Sequence, residues 1–327
     1  MASTKIEWAD AVWNPVTGCT PISEGCDHCY AKRMATRLAG RYGYPADDPF
    51  RPGWWHQEAY DNFKPPKGKR VFVCSMSDLF HEKVPVRAVH LVMEKINAHR
   101  DTTFMLLTKR PERMKYLLGE RAPEWKSALS WEYDIPLTNL WIGVTAENQT
   151  RADKRISILL QIPAAVRFVS IEPMLGSVDL GRYICPAHWH WDAKFMTPEA
   201  ALAAGAYAER KPQALVHADA RFIDWVICGG ETGPGARPVH PDWVRSLRDQ
   251  CQSSGVPFFF KQWGEWFKVR DGEAWDGDKQ IAMSTNGSAR PWTDDWSDDE
   301  VRLMRVGKKD AGRLLDGREW NEFPDRQ

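Results

Sequence analysis

The chain has 327 residues, of which 43% are hydrophobic and 27% are charged, a balance typical of a folded globular protein. Its 44 basic and 44 acidic residues cancel, which excludes a general attraction to nucleic acid but leaves room for a local basic patch. The amino-terminal residues lack the apolar segment of a secretory signal, and no apolar run is long enough to span a membrane. We therefore expect a cytoplasmic protein with reduced cysteines and no membrane partner.

Six short apolar runs recur along the chain, and most are continuous rather than alternating. They are residues 70–74, 103–108, 140–144, 166–171, 223–228 and 257–260. Such runs are typical of parallel strands that are covered on both faces. Helical patterns lie between them at 84–99, 150–162 and 241–254, and Thr150 is the predicted cap of the second. This alternation predicts an α/β fold, a full or partial (β/α) barrel of roughly six or seven parallel strands.

Two stretches interrupt the alternation of strands and helices. Residues 40–69 are rich in Pro, Gly, Tyr and Trp and indicate a long loop or lid. Residues at about 181–221 indicate an insertion, and the chain becomes polar after Trp266. We predict a barrel domain over 1–267 that contains this insertion, and a polar carboxyl-terminal extension over 268–327 that packs on the barrel.

Polar residues follow each apolar run directly. In chain order they are Ser75, Ser77 and Asp78, then Thr108, Lys109 and Arg110, then Thr145, Glu147 and Asn148, then Glu172, then Gly229, Gly230 and Glu231, and finally Lys261, Gln262 and Trp263. In a parallel barrel, functional residues gather where the strands end. The pattern predicts a polar active-site mouth, although each residue alone is also typical of a helix cap or an ion-pair partner.

Three clustered cysteines carry the clearest chemical signal. Cys19, Cys26 and Cys29 have the spacing C-x6-C-x2-C, and thiolates are the preferred ligands of iron–sulfur clusters. Three thiolates can hold three irons of a four-iron cluster and leave the fourth iron open to a small molecule. Gly18 and Gly25 allow the tight loop that this requires.

The same cysteines are also compatible with two simpler interpretations. One is a structural zinc site, which needs a fourth ligand, and Cys185, His188 or His190 could supply it. The other is a set of three thiols without a metal.

The cysteine loop resembles the cluster loop of radical S-adenosylmethionine enzymes, which usually have C-x3-C-x2-C and an aromatic residue beside the last cysteine, as Tyr30 is here. A narrower resemblance is to an uncharacterised family of phage and prophage proteins. It covers about residues 5 to 267 and the carboxyl-terminal tail. Its motifs are WNPVTGC, GCDHCYA, SMSDLFHE, LLTKRPERM, LWIGVTAENQ, RFVSIEPMLG, DWVICGGETGPGARP and FFFKQWGEW.

The resemblance implies a cofactor set and a reaction type. Cys19, Cys26 and Cys29 would hold a [4Fe-4S] cluster, and its open iron would bind S-adenosylmethionine. A reductant such as flavodoxin or ferredoxin would supply the electron that yields a 5′-deoxyadenosyl radical. The expected cofactor-binding residues are Ser75, Asp78, Glu147, Asn148, Glu172, Gly229, Gly230 and Glu231.

The predicted substrate is DNA or a nucleotide, in a phage-associated modification or repair. Lys109 and Arg110 could receive a phosphate or carboxylate, and Lys261, Gln262 and Trp263 could offer a base-stacking surface. The main alternative is a zinc-stabilised nucleic-acid-binding protein without catalysis. A metal-free hydrolase or transferase that uses Glu172 and Glu231 is the least favoured, because the chain has no G-x-S-x-G motif.

Overall fold

The computed structural model describes residues 4, 6–119, 136–184, 221–269, 280–293, 295 and 297–325. The predicted insertion therefore lies almost entirely outside the described residues. The three candidate fourth ligands of the zinc hypothesis, Cys185, His188 and His190, also lie outside them.

The strands and helices alternate through most of the described chain. The strands are β1 (Ala11–Trp13), β2 (Val16–Thr17), β3 (Trp54–Trp55), β4 (Arg70–Val73), β5 (Thr103–Thr108), β6 (Leu140–Thr145), β7 (Val166–Ile171), β8 (Trp225–Gly229), β9 (Phe258–Gln262), β10 (Trp266–Lys268), β11 (Gln280–Ser284), β12 (Ala289–Pro291) and β13 (Glu300–Arg305). The helices are α1 (Tyr30–Arg37), α2 (Gln57–Asp61), α3 (Val86–Ala98), α4 (Pro111–Leu118), α5 (Gln149–Leu159), α6 (Pro241–Ser253) and α7 (Lys308–Ala311), with a short 3₁₀ helix at Glu24–Cys26. None of these helices is long and apolar enough to cross a bilayer.

Seven parallel strands form the main sheet in the order β1-β4-β5-β6-β7-β8-β9, which is also their order along the chain. Each pairs in parallel with the next, as a (β/α) barrel requires. Within the described residues the edge strands β1 and β9 do not pair with each other, so the barrel is partial. The predicted fold class is thereby confirmed.

Alternate residues of each strand face the inside and the outside of the sheet. On β4, Val71 and Val73 belong to the outer core beneath the helices, whereas Phe72 belongs to an inner cluster. The inner cluster also contains Trp8, Met105, Trp141, Phe168, Trp225, Ile227 and Phe259, all of them buried. The sheet therefore encloses a packed, largely aromatic interior.

Several details differ from the sequence prediction: the predicted loop 40–69 contains β3 and α2, and two other differences have a local cause. The apolar-run pattern missed β1, because the strand has only three residues, Ala-Val-Trp. The predicted cap Thr150 is wrong, because the Asn148 side chain accepts a hydrogen bond from the Arg151 backbone at 3.1 Å and α5 begins at Gln149.

The carboxyl-terminal residues form a second, four-stranded antiparallel sheet in the order β10-β13-β11-β12. Arg305 on β13 donates to the carbonyl of Gly233 at 2.9 Å, which ties this sheet to the loop after β8. The tail that follows covers the β9 edge, where the Phe260 backbone donates to the Trp320 carbonyl at 2.9 Å. The alternation of polar and apolar residues on β13, such as Arg302 and Leu303, explains why these strands are inconspicuous in the sequence.

Candidate active site

A cavity of about 480 Å³ opens at the carboxyl ends of the parallel strands. All three clustered cysteines, Cys19, Cys26 and Cys29, line it. Of the predicted cofactor-binding residues, Ser75, Asp78, Glu172, Gly230 and Glu231 line the same cavity, and of the predicted substrate residues, Lys109, Arg110, Lys261 and Gln262 do. Topology explains this gathering, because successive parallel strands deliver their ends to one rim.

The cysteines lie on the segment between β2 and α1, residues 18–29, which we call the cysteine loop. Gly18 begins it with a φ of 79°, and a Cβ atom there would overlap the carbonyl oxygen of Arg51. The Gly18 backbone donates to the Met76 carbonyl at 3.0 Å, which fixes the loop beside the end of β4. Gly25 is constrained by space alone, because a Cβ atom there would overlap the Glu147 carboxylate. Both glycines are needed for close packing against the rim.

One set of contacts ties the cysteine loop to the end of β6. Ser23 Oγ donates to Glu147 Oε1 at 2.6 Å, and Glu24 forms an ion pair with Arg151 of α5 at 2.8 Å. Asn148 also donates to Glu24. The loop therefore joins residues that are more than 120 positions away in the sequence.

A second set of contacts ties the loop to the residues after β8. His28 Nδ1 lies 3.0 Å from Glu231 Oε2, and Arg237 contacts Glu231 at 2.7 Å and Asp27 at 3.2 Å. Burial raises the pKa of the Glu231 carboxyl, but the hydrogen bonds from Arg237 and His28 outweigh it and leave this pKa below its usual value. His28 thus contacts an acid that follows β8 and joins the cysteine loop to that part of the cavity rim.

A cation lies beside each of two cysteine thiols. The Arg110 guanidinium is 3.4 Å from Cys19 Sγ, and the Lys109 ammonium is 3.5 Å from Cys26 Sγ. Burial and the nearby Asp78 carboxylate raise the pKa of Cys19 to about 11 against the opposing effect of Arg110. For Cys26, burial raises the pKa, but Lys109 and backbone hydrogen bonds lower it by more than burial raises it. The net effect is a pKa below the usual value. The two cations can balance the charge of thiolate ligands.

The donor set on this wall suits an iron–sulfur cluster. The described residues contain no group of three or more His, Cys, Asp or Glu side chains that could hold one metal ion. A four-iron cluster makes a different demand, because each cysteine binds a different iron and the sulfurs need not converge on one point. Three cysteines line one cavity, and two of them have a neighbouring cation. They therefore provide the type and number of ligands that such a cluster needs.

Two acids of the site hold these cations in place. Asp78 is buried, accepts from Thr108 Oγ1 at 2.7 Å and contacts Arg110 at 3.3 Å. Glu147 is fully buried between Lys109 at 2.7 Å and Arg155 at 2.8 Å. Burial raises the pKa of Glu147, but its two cationic partners lower it below the usual range.

Four predicted site residues do not line the cavity, and each has a structural reason. Glu147 uses both carboxylate oxygens in its internal contacts, and Asn148 caps α5. Gly229 is the last residue of β8, where a Cβ atom would lie 2.7 Å from the Glu172 carboxylate. Trp263 is buried, and its indole nitrogen donates to the Leu314 carbonyl at 2.9 Å, so its ring is not available as a stacking surface.

Trp8, His28 and Arg237 are among the residues at the site to which the sequence assigned no role. Trp8 lines the cavity wall, packs against Phe72 at 4.7 Å between ring centroids and leaves its indole nitrogen without a hydrogen-bond partner among the described residues. His28 and Arg237 connect the cysteine loop to Glu231. The position of His28 between two cysteines was a visible signal, but nothing local connects Arg237 to a loop 210 residues earlier.

Comparison with known proteins identifies the family. Residues 3–324 match the family described as protein of unknown function (DUF5131), and the chain belongs to that family. No curated protein matches. Among solved structures, a mutant of spore photoproduct lyase is 13% identical with a TM-score of 0.38, over 83% of this chain and 68% of that one. Another mutant of that lyase, with bound AdoMet and dinucleoside spore photoproduct, is 11% identical with the same TM-score and coverage.

Proposed function

We propose that this DUF5131 protein is a radical S-adenosylmethionine enzyme whose [4Fe-4S] cluster is held by Cys19, Cys26 and Cys29. One observation carries the proposal: the three thiols share a cavity with the polar ends of the parallel strands. The cavity volume of about 480 Å³ is within the range of small-molecule sites, about 300–1,000 Å³. When bound, the cluster would supply the electron that cleaves S-adenosylmethionine into methionine and a radical that abstracts hydrogen.

The chain's own residues prepare this site electrostatically. Arg110 and Lys109 would offset the negative charge of the thiolate ligands, and Asp78 and Glu147 keep both cations at the wall. Preorganised charges of this kind cost no rearrangement when the ligand binds. The role proposed for Glu147 is thus to position Lys109 rather than to contact the cofactor.

Glu172 is the acid on this wall that we propose for the cofactor. Its contacts, with Lys261 and with Ser170, are both 3.3 Å long, whereas Asp78 and Glu231 each have a contact of 2.7 Å. A carboxylate with weak internal partners can exchange them for the amine or the ribose hydroxyls of S-adenosylmethionine. Ser75, Gly230 and Glu231 complete the cofactor wall of the proposal, and flavodoxin or ferredoxin is the proposed reductant.

The proposed substrate is DNA or a nucleotide. Gln262 supports this choice, because it lines the cavity, is only 6% exposed, and its Oε1 atom has no hydrogen-bond partner among the described residues. A buried amide oxygen without a partner is suited to a hydrogen-bond donor on the edge of a nucleobase. Lys261 beside it could pair with a phosphate once Glu172 turns to the cofactor.

Anaerobic reconstitution of the full chain with iron and sulfide tests the proposal. The wild type should bind about four irons and, after reduction, should convert S-adenosylmethionine into 5′-deoxyadenosine, measured by chromatography. Cys26→Ala should lose the product and most of the iron. Cys251→Ala is the matched control, because Cys251 is fully buried on α6 and should leave both unchanged.

Metal analysis separates the alternatives. If protein purified without added iron holds stoichiometric zinc that Cys26→Ala removes, the zinc-stabilised binding protein is the correct interpretation. If Cys26→Ala binds as much iron as the wild type, the proposed ligand set is wrong.

A further inference from the structure

Positive charge is concentrated on α1 and the turn that follows it. Residues 30–46 contain Lys32, Arg33, Arg37 and Arg41 and no acidic residue, although the chain as a whole has no net charge. Lys32, Arg37 and Arg41 are exposed, and in the described part of the chain none of the three forms an ion pair. These cations are therefore available to a negatively charged partner.

The nearest acidic residues in the sequence do not neutralise this charge. Asp47 and Asp48 follow the segment directly, but both contact Arg51, at 2.8 Å and 4.0 Å. The side chain of Arg41 instead donates to the Arg37 carbonyl at 2.6 Å, which holds the Arg41 guanidinium beside the last residue of α1.

Exposed apolar side chains are concentrated in the same place. Six large apolar residues are exposed in the described chain, and four of them lie between positions 22 and 42: Ile22, Tyr30, Met34 and Tyr42. Tyr42 is 82% exposed, so most of its side chain is available to a planar partner.

The geometry of α1 connects this surface to the cavity. Ala31 and Ala35 are buried, whereas Tyr30, Met34 and Arg37 of the same helix are exposed. Tyr30 and Met34 also line the cavity. We call Tyr30, Lys32, Met34, Arg37, Arg41 and Tyr42 the α1 lip; these residues are the exposed cations and large apolar side chains of α1 and the turn after it, with Lys32 on one flank of the helix and Tyr30, Met34 and Arg37 on the other. The lip begins at the cavity mouth, where Tyr30 and Met34 lie.

We propose that the α1 lip binds a single-stranded nucleic acid, with phosphates on Lys32, Arg37 and Arg41 and a base stacked on Tyr42. Cations that follow a backbone beside an exposed aromatic ring are the usual means of binding single strands. An acidic peptide or a lipid headgroup would satisfy the cations but would not use the open ring of Tyr42. The lip would bring a neighbouring nucleotide to the cavity, and only this last step rests on the proposed function.

Fluorescence anisotropy with a labelled oligothymidylate of about 12 nucleotides tests the lip. The lip variant carries Lys32→Gln, Arg37→Gln and Arg41→Gln and so removes three proposed phosphate contacts. Each contact contributes about 0.7 to the magnitude of the slope of log affinity against log salt concentration. The slope should fall in magnitude by about 2, and affinity at 0.1 M salt should fall at least about tenfold. Tyr42→Ala should weaken binding about tenfold, whereas Tyr42→Phe should not.

A second triple variant controls for charge alone. Lys64→Gln, Lys67→Gln and Lys69→Gln also removes three exposed cations, but these residues precede Arg70 at the amino end of β4, opposite the cavity. Wild-type binding by this variant supports the lip, and an equal loss overturns it.

The remaining outcomes separate the lip from its competitors and from the proposed activity. Equal binding of a duplex, or binding of phosphatidylserine vesicles with no binding of the oligonucleotide, overturns the proposal. The lip variant should cleave S-adenosylmethionine at the wild-type rate, since none of its three changed residues lines the cavity. Oligonucleotide binding that persists in Cys26→Ala supports the lip even if the cluster chemistry proves wrong.

Discussion

Replacement of Glu147 by Gln tests the electrostatic arrangement behind the cysteine loop. The Glu147 side chain is completely buried, and its two oxygens are shared by Ser23, Lys109 and Arg155. Gln has nearly the same volume and keeps one acceptor oxygen, so the change removes the charge and little else. What remains is two cations that have lost their common partner.

The expected cost follows from the burial of those cations. Removal of one partner of a buried ion pair costs about 3–5 kcal/mol, because the other charge stays buried and uncompensated. The Arg155 side chain is only 3% exposed and bears this cost, although it keeps its hydrogen bond to the Thr145 carbonyl. The Lys109 side chain is 18% exposed and can recover some hydration. We therefore expect the lower end, about 3 kcal/mol, in the free energy of unfolding measured with urea.

The pH dependence gives an independent check of the same mechanism. The folded-state pKa of Glu147 lies below the unfolded value of 4.5, so the carboxylate stabilises the fold above pH 4.5 and loses this effect as the pH falls through the folded pKa. The difference between wild type and Glu147→Gln should be constant near neutral pH and should shrink in acid. A difference that grows in acid would contradict the assigned sign.

Glu112→Gln is the matched control, because the Glu112–Lys154 pair has the same chemistry but both side chains are more than half exposed. It should cost less than about 0.5 kcal/mol. If Glu147→Gln lowers the free energy of unfolding by less than about 1 kcal/mol, the reasoning is refuted, because both cations must then be hydrated in the variant.

Three further changes probe the packing. Gly143→Ala places a Cβ atom 2.6 Å from the Phe168 ring, so urea denaturation should show a loss of about 1–3 kcal/mol. Gly18→Ala is strained at a φ of 79° and overlaps the Arg51 carbonyl, so it should lower the iron bound on reconstitution, measured by elemental analysis. Arg237→Ala removes charged hydrogen bonds beside the loop, each worth about 1.5–3 kcal/mol, so amide exchange over 23–29 should accelerate at least about tenfold by mass spectrometry.

Each change has a control of the same type. Gly176→Ala meets its nearest neighbour at 3.5 Å and should leave stability near the wild-type value. Gly40→Ala shares the positive φ of Gly18 but has no atom closer than 3.5 Å, so normal iron binding there would assign the Gly18 effect to overlap. Arg245→Ala breaks ion pairs on α6 and should not alter exchange over 23–29. Equal effects in a variant and its control would contradict the corresponding prediction.

The barrel was accessible from the sequence because its strands are buried on both faces. Predicted and observed bounds coincide for β5 and for β7, where the apolar run stops abruptly at polar neighbours. The short strand β1 and the alternating strand β13 lack that signal. A strand can be recognised in a single sequence when it is buried along its whole length, because it then forms a continuous apolar run.

The site was predictable to the extent that topology alone determines it. Parallel strands in chain order bring Asp78, Glu172 and Glu231 to one rim without knowledge of any side-chain contact. Topology does not decide whether a strand-end residue faces the cavity or an internal partner. Glu147 follows β6 just as Glu172 follows β7, but Arg155 on the next helix binds Glu147 internally.

The cysteine loop shows why the remaining contacts were not predictable, and what they imply for the tests. Ser23 contacts a residue 124 positions later, and His28 contacts one 203 positions later. Such pairs leave no local pattern, yet together with Arg237 they hold the loop against two separate strand ends. None of these contacts involves a cysteine sulfur. The loop should therefore keep its position in Cys26→Ala, and the expected loss of iron in that variant would report a missing ligand rather than a displaced loop.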